Sequence, residues 1–207
     1  IADAFLMMQT VLSRGVADRI LTGGLVGNIF LAALGREIGK GSLDFILRSN
    51  YGSFIDRARE LHGQYSHPVV LPKDLAWVRD GVRQEAELGR VDPGITAVDI
   101  GSATAKRYQR IILEAKTVFV NGPMGVFEQE ASGLGTQAVW QALAEPRGFT
   151  VLGGGDSITA TEKYGLTKKM NYICTGGGAL IRFLSGEELP VVRALRQGAA
   201  ITENQMR

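Results

Sequence analysis

Short apolar runs alternate with longer segments of helical periodicity along this chain of 207 residues. Residues 117–120 and 149–152 contain few polar positions, which is typical of strands that are buried on both faces of a sheet. Residues 103–115 precede the first of these runs and place apolar side chains at helical spacing. The alternation predicts an α/β fold, namely a three-layer Rossmann-like domain with a parallel sheet of about six strands and helices on both faces.

The first half of the chain predicts the same alternation less regularly. Residues 1–14 are expected to form a helix, residues 19–22 a short strand and residues 25–34 a buried helix. Residues 75–88 favour a further helix. No linker-like stretch and no close repeat interrupts the pattern, so residues 1–207 are interpreted as one domain.

Composition and charge indicate which binding partners and which cellular compartment suit this chain. The net charge of +2 is small and the basic residues are scattered, which argues against a nucleic-acid or membrane surface. Cys174 is the only cysteine, so no internal disulfide can form, and a reducing, cytoplasmic location is expected. No apolar stretch reaches transmembrane length. The chain begins at Ile1 rather than at methionine, so we expect it to be part of a longer protein.

Three glycine-rich turns in the second half carry the strongest chemical signal. They comprise residues 121–128, 153–157 and 175–178, and each follows an apolar run and precedes a helix-compatible run. Glycine allows the backbone to approach a ligand closely, and the free N–H groups of the first helical turn then point at an anion. Three such turns predict a site for a ligand with several phosphates.

Polar residues in two of these turns are candidate ligands. Asn121 could hydrogen-bond a phosphate and Glu128 could accept from ribose hydroxyls; alternatively, Asn121 caps a turn and Glu128 favours a helix N-terminus. Asp156 could hold a magnesium ion beside Ser157, which could contact phosphate; alternatively, Asp156 is a helix cap without a metal. Spacing favours the capping roles for Asn121 and Glu128 and leaves the two roles of Asp156 about even.

Further glycines offer a backbone against which a flat ring or a charged group could lie. Gly176 and Gly177 precede a helix whose N–H groups and dipole could stabilise a phosphoryl group in transit. Gly23, Gly24 and Gly101 follow strands and would let an adenine ring approach the backbone. Tight strand-to-helix packing is the alternative for all of them. The chain has no Gly-x-x-x-x-Gly-Lys-Ser/Thr, which excludes a P-loop, and no Gly-x-Gly-x-x-Gly after its first strand, which argues against dinucleotide binding.

Taken in order, the turns resemble the carboxyl-terminal, nucleotide-binding half of the phosphoglycerate kinase family. The resemblance rests on Asn-Gly-Pro-x-Gly-x-Phe-Glu at residues 121–128, Gly-Gly-Gly-Asp-Ser at 153–157 and Thr-Gly-Gly-Gly at 175–178. An Asp-Ile-Gly turn at residues 99–101 supports it. It extends over nearly the whole chain, and Thr-Gly-Gly-Leu-Val-Gly-Asn at residues 22–28 is similar to archaeal members.

The resemblance implies that one set of residues binds Mg-ADP or Mg-ATP and assists phosphoryl transfer. By position, these are Gly23, Gly24 and Gly101 at the adenine, Glu128 at the ribose, Asn121 near the triphosphate, Gly154, Gly155, Asp156 and Ser157 at the phosphates, Asp156 also at the Mg²⁺, and the catalytic Gly176 and Gly177 at the transferring phosphoryl group.

The chain also departs from the family pattern. Ala4 stands where many members have a lysine, Leu25 replaces a glycine and Cys174 replaces a serine. The amino-terminal half, which in the family binds 3-phosphoglycerate, is missing. The resemblance therefore implies a parent enzyme of glycolysis that transfers phosphoryl between 1,3-bisphosphoglycerate and ADP, and a chain that is inactive by itself. A free-standing nucleotide-binding module without transfer activity is the alternative.

Overall fold

The computed structural model describes residues 1–145 and 147–205 and alternates helices with strands. The helices are α1 Ala2–Ser13, α2 Gly24–Ala33, α3 Lys40–Arg48, α4 Ser53–Tyr65, α5 Ser102–Glu114, α6 Leu134–Leu143, α7 Gly155–Lys163, α8 Gly178–Leu184 and α9 Pro190–Gln205, with a short 3₁₀ turn at Thr167–Lys169. The strands are β1 Ile20–Leu21, β2 Val69–Val70, β3 Asp74–Arg79, β4 Val82–Glu87, β5 Asp99–Ile100, β6 Thr117–Val120, β7 Phe149–Gly153 and β8 Tyr172–Cys174.

The strands form small hydrogen-bonded sheets. β1 pairs with β2 in parallel, and a second parallel sheet has the order β6-β7-β8. β3 is the centre of a third sheet and pairs antiparallel with both β4 and β5. The α/β class with parallel strands flanked by helices is confirmed. The sheets are smaller than expected, however, because each joins two or three of the described strands rather than about six.

Residues 75–88, for which the sequence favours a helix, form most of a β-hairpin, so that expectation is wrong. Asp80 and Gly81 lie at its tip with φ angles of +53° and +76°. Two successive positive φ values are what a two-residue type I′ turn requires, and Asp-Gly is one of the pairs that adopt them readily. β3 is mostly buried, whereas β4 is mostly polar and alternates between exposed and half-buried positions, as in an antiparallel pair at the edge of the core.

The sequence also favours a mostly helical segment over residues 128–143, but this segment begins as an irregular turn, and α6 starts only at Leu134. The N–H of Ser132 bonds to the carbonyl of Gln129, and that of Gly133 bonds to the carbonyl of Glu130. These local bonds close single turns instead of a helix. Glu128 therefore lies in a loop and not in the first turn of a helix.

The first half of the chain buries a cluster of apolar side chains from α1 to α4 and the hairpin. Phe5 is fully buried in it. Its ring stacks on Phe30 with 5.6 Å between ring centroids and contacts Phe54 at 4.9 Å. Aromatic pairs of this kind stabilise beyond the area that they bury, so α1 is firmly packed on α2 and α4.

The second half buries its own cluster around α5, α6 and the parallel sheet. Trp140 is fully buried there, and its indole N–H donates to the Thr161 hydroxyl at 2.8 Å. β2 contributes Val69 to the first cluster and Val70 to the second. The two apolar clusters therefore meet at this strand.

Tyr108 of α5 links the two halves at the carboxyl ends of β1 and β2. Its buried hydroxyl lies 2.8 Å from the carbonyl oxygen of Thr22 and 3.0 Å from that of Val70. Burial raises the pKa of this hydroxyl, so it is a neutral donor. The contact fixes the chain immediately before Gly23, where the first candidate glycines begin.

Candidate functional site

The carboxyl ends of β6, β7 and β8 lie side by side at one edge of the parallel sheet. The register pairs Val120 with Leu152 and Gly153 with Cys174. The three glycine-rich turns follow these strands directly, so they start next to one another, about 5 Å apart per strand. In a parallel sheet this edge is where ligands bind.

The turn at residues 121–127 contacts the glycine pair that follows β1. Gly24 donates its backbone N–H to the carbonyl oxygen of Met124 at 2.6 Å. A Cβ atom at Gly23 would lie 2.6 Å from the sulfur of Met124, and Gly24 has a φ of +52°. Both positions therefore need glycine. The contact brings together two candidate regions from opposite halves of the chain.

The same turn contacts the beginning of α7. Gly122 donates its backbone N–H to Ser157 Oγ at 2.7 Å, and the Ser157 side chain is fully buried. Gly154 has a φ of +86°, and a Cβ atom there would lie 3.1 Å from Asn121 Oδ1. Three candidate residues are thus neighbours, and the hydroxyl of one of them holds the turn.

The first turn of α7 is open to solvent. Gly155 and Asp156 are exposed, and nothing lies within 4 Å of a Cβ atom built at Gly155. No side chain caps this helix, and the Asp156 carboxylate forms no hydrogen bond or ion pair with the described part of the chain. An anion at this position would meet unpaired helix N–H groups.

The third turn leads into α8, a helix of seven residues. Gly176 is exposed, and Gly177 has a φ of +50° with open space where a Cβ would point. α1 packs against α8, and Asp3 Oδ2 would lie 3.7 Å from a Cβ atom at Gly178. Sequence reasoning did not single out Asp3, because its position here depends on the packing of two elements distant in sequence.

The first turn of α5 is closed, in contrast, by two carboxylates. Asp74 accepts the N–H groups of Ala103 and Thr104, each at 2.8 Å, and also accepts the Thr104 hydroxyl. Glu85 accepts the N–H and the hydroxyl of Ser102. The helix N–H groups that could bind a phosphate are therefore already bound to anionic oxygens.

Gly101 precedes this closed turn and packs against it. A Cβ atom at Gly101 would overlap the Asp74 carboxylate. Val98, immediately before β5, contacts the turn at residues 121–127, because it accepts the N–H of Val126 at 2.7 Å. The strand that leads to Gly101 thus contacts the turn at residues 121–127, but Gly101 itself does not lie beside a free helix N-terminus.

Glu128 lies on the loop between the turn at residues 121–127 and α6, and its side chain is exposed. Lys163, in the last turn of α7, donates from Nζ to the carbonyl oxygens of Phe127 and Glu128 at 2.6 and 2.9 Å. Tyr164 donates to the carbonyl of Gly133 at 3.2 Å. Burial, with the nearby charges of Asp99 and Glu128, raises the pKa of that tyrosine. α7 therefore holds this loop from one side.

A buried ion pair holds the loop from the other side. Arg83 Nη1 lies 3.0 Å from Asp99 Oδ2, and Gly135 donates its N–H to the same oxygen at 2.6 Å. Burial raises the pKa of Asp99 to about 6, although the Gly135 N–H and the Arg83 charge both favour the carboxylate. Asp99 Oδ1 has no hydrogen-bond partner among the described residues.

The described residues offer few ligands for a metal. Among them, no three His, Cys, Asp or Glu side chains are grouped to hold a metal ion. Asp156 is an exposed carboxylate at the first turn of α7, and Mg²⁺ in nucleotide sites often uses one or two carboxylates together with phosphates and water. No helix within residues 1–145 and 147–205 is long and apolar enough to span a bilayer.

The chain matches known proteins over nearly its whole length. The family model for phosphoglycerate kinase matches residues 1–187. The phosphoglycerate kinase of Methanothermobacter thermautotrophicus is 43% identical over 94% of this chain and 47% of the relative. That of Pyrococcus abyssi is 42% identical over 94% of this chain and 48% of the relative. The chain thus spans about half the length of the curated relatives it matches.

Two solved structures of phosphoglycerate kinases are also similar to this chain over nearly its whole length. The crystal structure of phosphoglycerate kinase from Pyrococcus horikoshii has a TM-score of 0.87 and 39% identity, and the match covers 95% of this chain and 49% of that one. The structure of phosphoglycerate kinase from Coxiella burnetii has a TM-score of 0.82 and 30% identity, and the match covers 94% of this chain and 49% of that one.

Proposed function

Because the chain belongs to the phosphoglycerate kinase family, we propose that it is the nucleotide-binding domain of an enzyme that transfers phosphoryl between 1,3-bisphosphoglycerate and ADP. The observation that carries the proposal is the position of the turn at residues 121–127, which contacts Gly24, Ser157 and Val98, the residue immediately before the strand that leads to Gly101. The domain would comprise residues 1–207, which is supported by the contact of the two apolar clusters at β2.

The nucleoside would bind between the two halves. Adenine would lie on the backbone at Gly23, Gly24 and Gly101; a Cβ atom would crowd Met124 at Gly23 and Asp74 at Gly101, and Gly24 has a φ of +52°. Glu128 is exposed on the adjoining loop, from which its carboxylate can accept hydrogen bonds from the ribose hydroxyls.

The phosphates would bind at the first turn of α7. Gly154 and Gly155 allow close approach, and Asn121 lies beside Gly154. The Ser157 side chain is fully buried and accepts the Gly122 N–H, so this residue would contribute its backbone N–H rather than its side chain. Asp156 is the exposed oxygen ligand that fits a Mg²⁺ ion, which would neutralise phosphate charge when bound.

The transferring phosphoryl group would lie between the first turn of α7 and the turn before α8. The register of β7 and β8 places these turns next to each other. Backbone N–H groups at Gly176 and Gly177 would stabilise charge that develops on the phosphoryl oxygens during transfer. This assigns them the catalytic role that the family resemblance implies.

The chain alone would bind nucleotide without turning it over. Its partner substrate, 3-phosphoglycerate, would be held by the amino-terminal half of the longer relatives, and closure of both halves would be needed for transfer. The enzyme would act in the cytoplasm and would need neither nucleic acid nor membrane. A free-standing nucleotide-binding module remains the second candidate and would show the same binding.

Two assays on the purified chain test this function. Isothermal calorimetry with Mg-ADP up to millimolar concentration should show binding that weakens when EDTA removes the metal. A coupled assay with ATP and 3-phosphoglycerate should show no turnover. Absence of ADP binding at millimolar concentration contradicts the nucleotide site, and turnover by the isolated chain contradicts the need for a second half.

A further inference from the structure

The Arg83 side chain extends from β4 and bonds two backbone carbonyls and two carboxylates at once. It is only 11% exposed. Nη1 donates to Asp99 Oδ2 at 3.0 Å and to the carbonyl of Ala131 at 3.1 Å, while Nη2 donates to the carbonyl of Ile100 at 2.8 Å. Nε donates to Glu85 at 2.6 Å. The guanidinium is therefore held in a fixed orientation by four acceptors.

The segments that Arg83 joins are the two walls of the proposed nucleoside pocket. The Ile100 carbonyl immediately precedes Gly101, which is assigned to the adenine. The Ala131 carbonyl belongs to the loop that carries Glu128, which is assigned to the ribose. One rigid, planar side chain thus sets the spacing between these walls.

The loop at Glu128 needs such a support because it has little regular structure of its own. It lies between β6 and α6, outside both elements. Lys163 bonds its beginning from the α7 side, and Arg83 bonds its end at Ala131 from the hairpin side. Asp99 strengthens the second support, since its carboxylate bonds both Arg83 and the N–H of Gly135 near the start of α6.

We propose that Arg83 is a positioning residue for the nucleoside end of the ligand: it fixes the Glu128 loop relative to the Gly101 strand end so that ribose and adenine are bound together. The inference rests on the proposed nucleotide site and adds a specificity-determining residue to it. Arg83 would not bind the phosphates, because all four of its hydrogen-bond acceptors lie away from the first turn of α7 in the chain, in β4, β5 and the Glu128 loop.

Three variants of the purified chain test the role. Arg83→Ala removes every contact, and Arg83→Lys keeps the charge but loses the planar fork. Arg79→Ala is the matched control, because Arg79 lies on the same hairpin and its ion pair with Asp92 is exposed. Each protein is titrated by calorimetry with Mg-ADP, with 2′,3′-dideoxy-ADP and Mg²⁺, and with magnesium pyrophosphate, which has no nucleoside.

We expect Arg83→Ala to weaken Mg-ADP binding about tenfold, because a displaced pocket wall loses its contacts. Its affinity for magnesium pyrophosphate should stay within about twofold of the parent. The preference for ADP over the dideoxy analogue should fall, because Glu128 no longer faces the ribose. The ADP affinity of Arg83→Lys should lie between those of Arg83→Ala and the unsubstituted chain. Arg79→Ala should bind all three ligands as the unsubstituted chain does.

Several outcomes overturn the inference. Unchanged ADP affinity in Arg83→Ala does so, and so does an equal loss of ADP and pyrophosphate affinity, which would indicate a purely structural role. If Arg83→Ala does not fold, Arg83→Lys decides by the same two criteria. If the unsubstituted chain binds pyrophosphate but not ADP, the proposed nucleoside pocket itself is wrong. If the unsubstituted chain binds ADP, a negative result with the Arg83 variants contradicts only the role of Arg83.

Discussion

The first turns of α5 and α7 look alike in sequence and differ in the structure. Each follows a short strand and a glycine, Gly101 in one case and Gly154 in the other. At α5 the helix N–H groups are bound by Asp74 and Glu85. At α7 no side chain caps the helix, and Asp156 is exposed. Only the second can receive an anion.

The comparison shows that glycine before a helix is not enough to identify a phosphate site. Glycine permits close approach, but the approaching group can be the protein's own carboxylate, as Asp74 is at Gly101. A phosphate requires unpaired N–H groups without a competing negative charge. By this criterion Gly154 and Gly155 suit a phosphate, and Gly101 does not.

The largest expected difference concerns stability. Asp74→Ala leaves the N–H groups of Ala103 and Thr104 and the Thr104 hydroxyl without their acceptor at a buried position. We expect the free energy of unfolding to fall by about 3 kcal/mol. Urea denaturation followed by circular dichroism measures it. Asp156→Ala is the matched change at α7 and should cost at most about 1 kcal/mol. Equal losses in the two variants would remove the distinction between the two turns.

The buried carboxylate beside the α5 turn should also make stability depend on pH. Asp99 has a folded-state pKa of about 6, above the ordinary 3.8, so between these values the folded protein holds a proton that the unfolded chain has released. This contribution to stability is complete below pH 3.8 and is lost as the pH rises through 6.

Asp99→Asn should abolish that dependence. The free energy of unfolding of the parent minus that of the variant should decrease by about 2 kcal/mol between pH 4 and pH 7. Urea titrations of both proteins over this range measure the difference. A difference that stays constant with pH would mean that Asp99 does not exchange its proton in this way.

Ligand binding should respond at α7. Asp156→Ala is expected to weaken Mg-ADP binding about tenfold when magnesium is present, and by much less in EDTA, because a carboxylate that holds the ion has no role without it. Calorimetry under both conditions separates the effects. An equal change with and without metal would assign Asp156 to the helix terminus alone.

The smallest expected effects distinguish the two glycines at α7. Gly155→Ala places a methyl group in open space, so stability should rise by about 0.5 kcal/mol while pyrophosphate binding weakens. Gly154→Ala forces a residue with a Cβ into a φ of +86° and should cost about 1 kcal/mol of stability. Thermal melting of both variants measures the change in stability, and calorimetry with magnesium pyrophosphate measures the change in affinity. Unchanged pyrophosphate affinity in Gly155→Ala would show that the ligand does not approach that backbone.

Much of the fold follows from local patterns. The strand at Thr117–Val120 and the helix at Ser102–Glu114 were predicted nearly to the residue, because apolar runs and helical periodicity are strong there. The hairpin was missed because β4 is rich in charged residues that also suit a helix. The pair Asp80–Gly81 was the available signal, since both residues adopt positive φ.

The candidate site was only partly predictable. Glycine-rich turns can be recognised in the sequence by their spacing. The parallel order of β6, β7 and β8 then brings Asn121, Gly154 and Gly177 to one edge of the sheet. The supports behind them, such as Arg83 and Lys163, come from elements distant in sequence. Their roles depend on tertiary packing, so no local pattern could indicate them.

The first turn of α7, and not that of α5, is the proposed phosphate site. Titration of the ¹⁵N-labelled chain with magnesium pyrophosphate, followed by amide chemical shifts, tests it directly, because this ligand has no ring to shift nearby signals. We expect the largest shifts at Gly154, Gly155 and Asp156 and almost none at residues 102–104. The largest shifts at residues 102–104, or no saturable shifts at α7, would contradict the account.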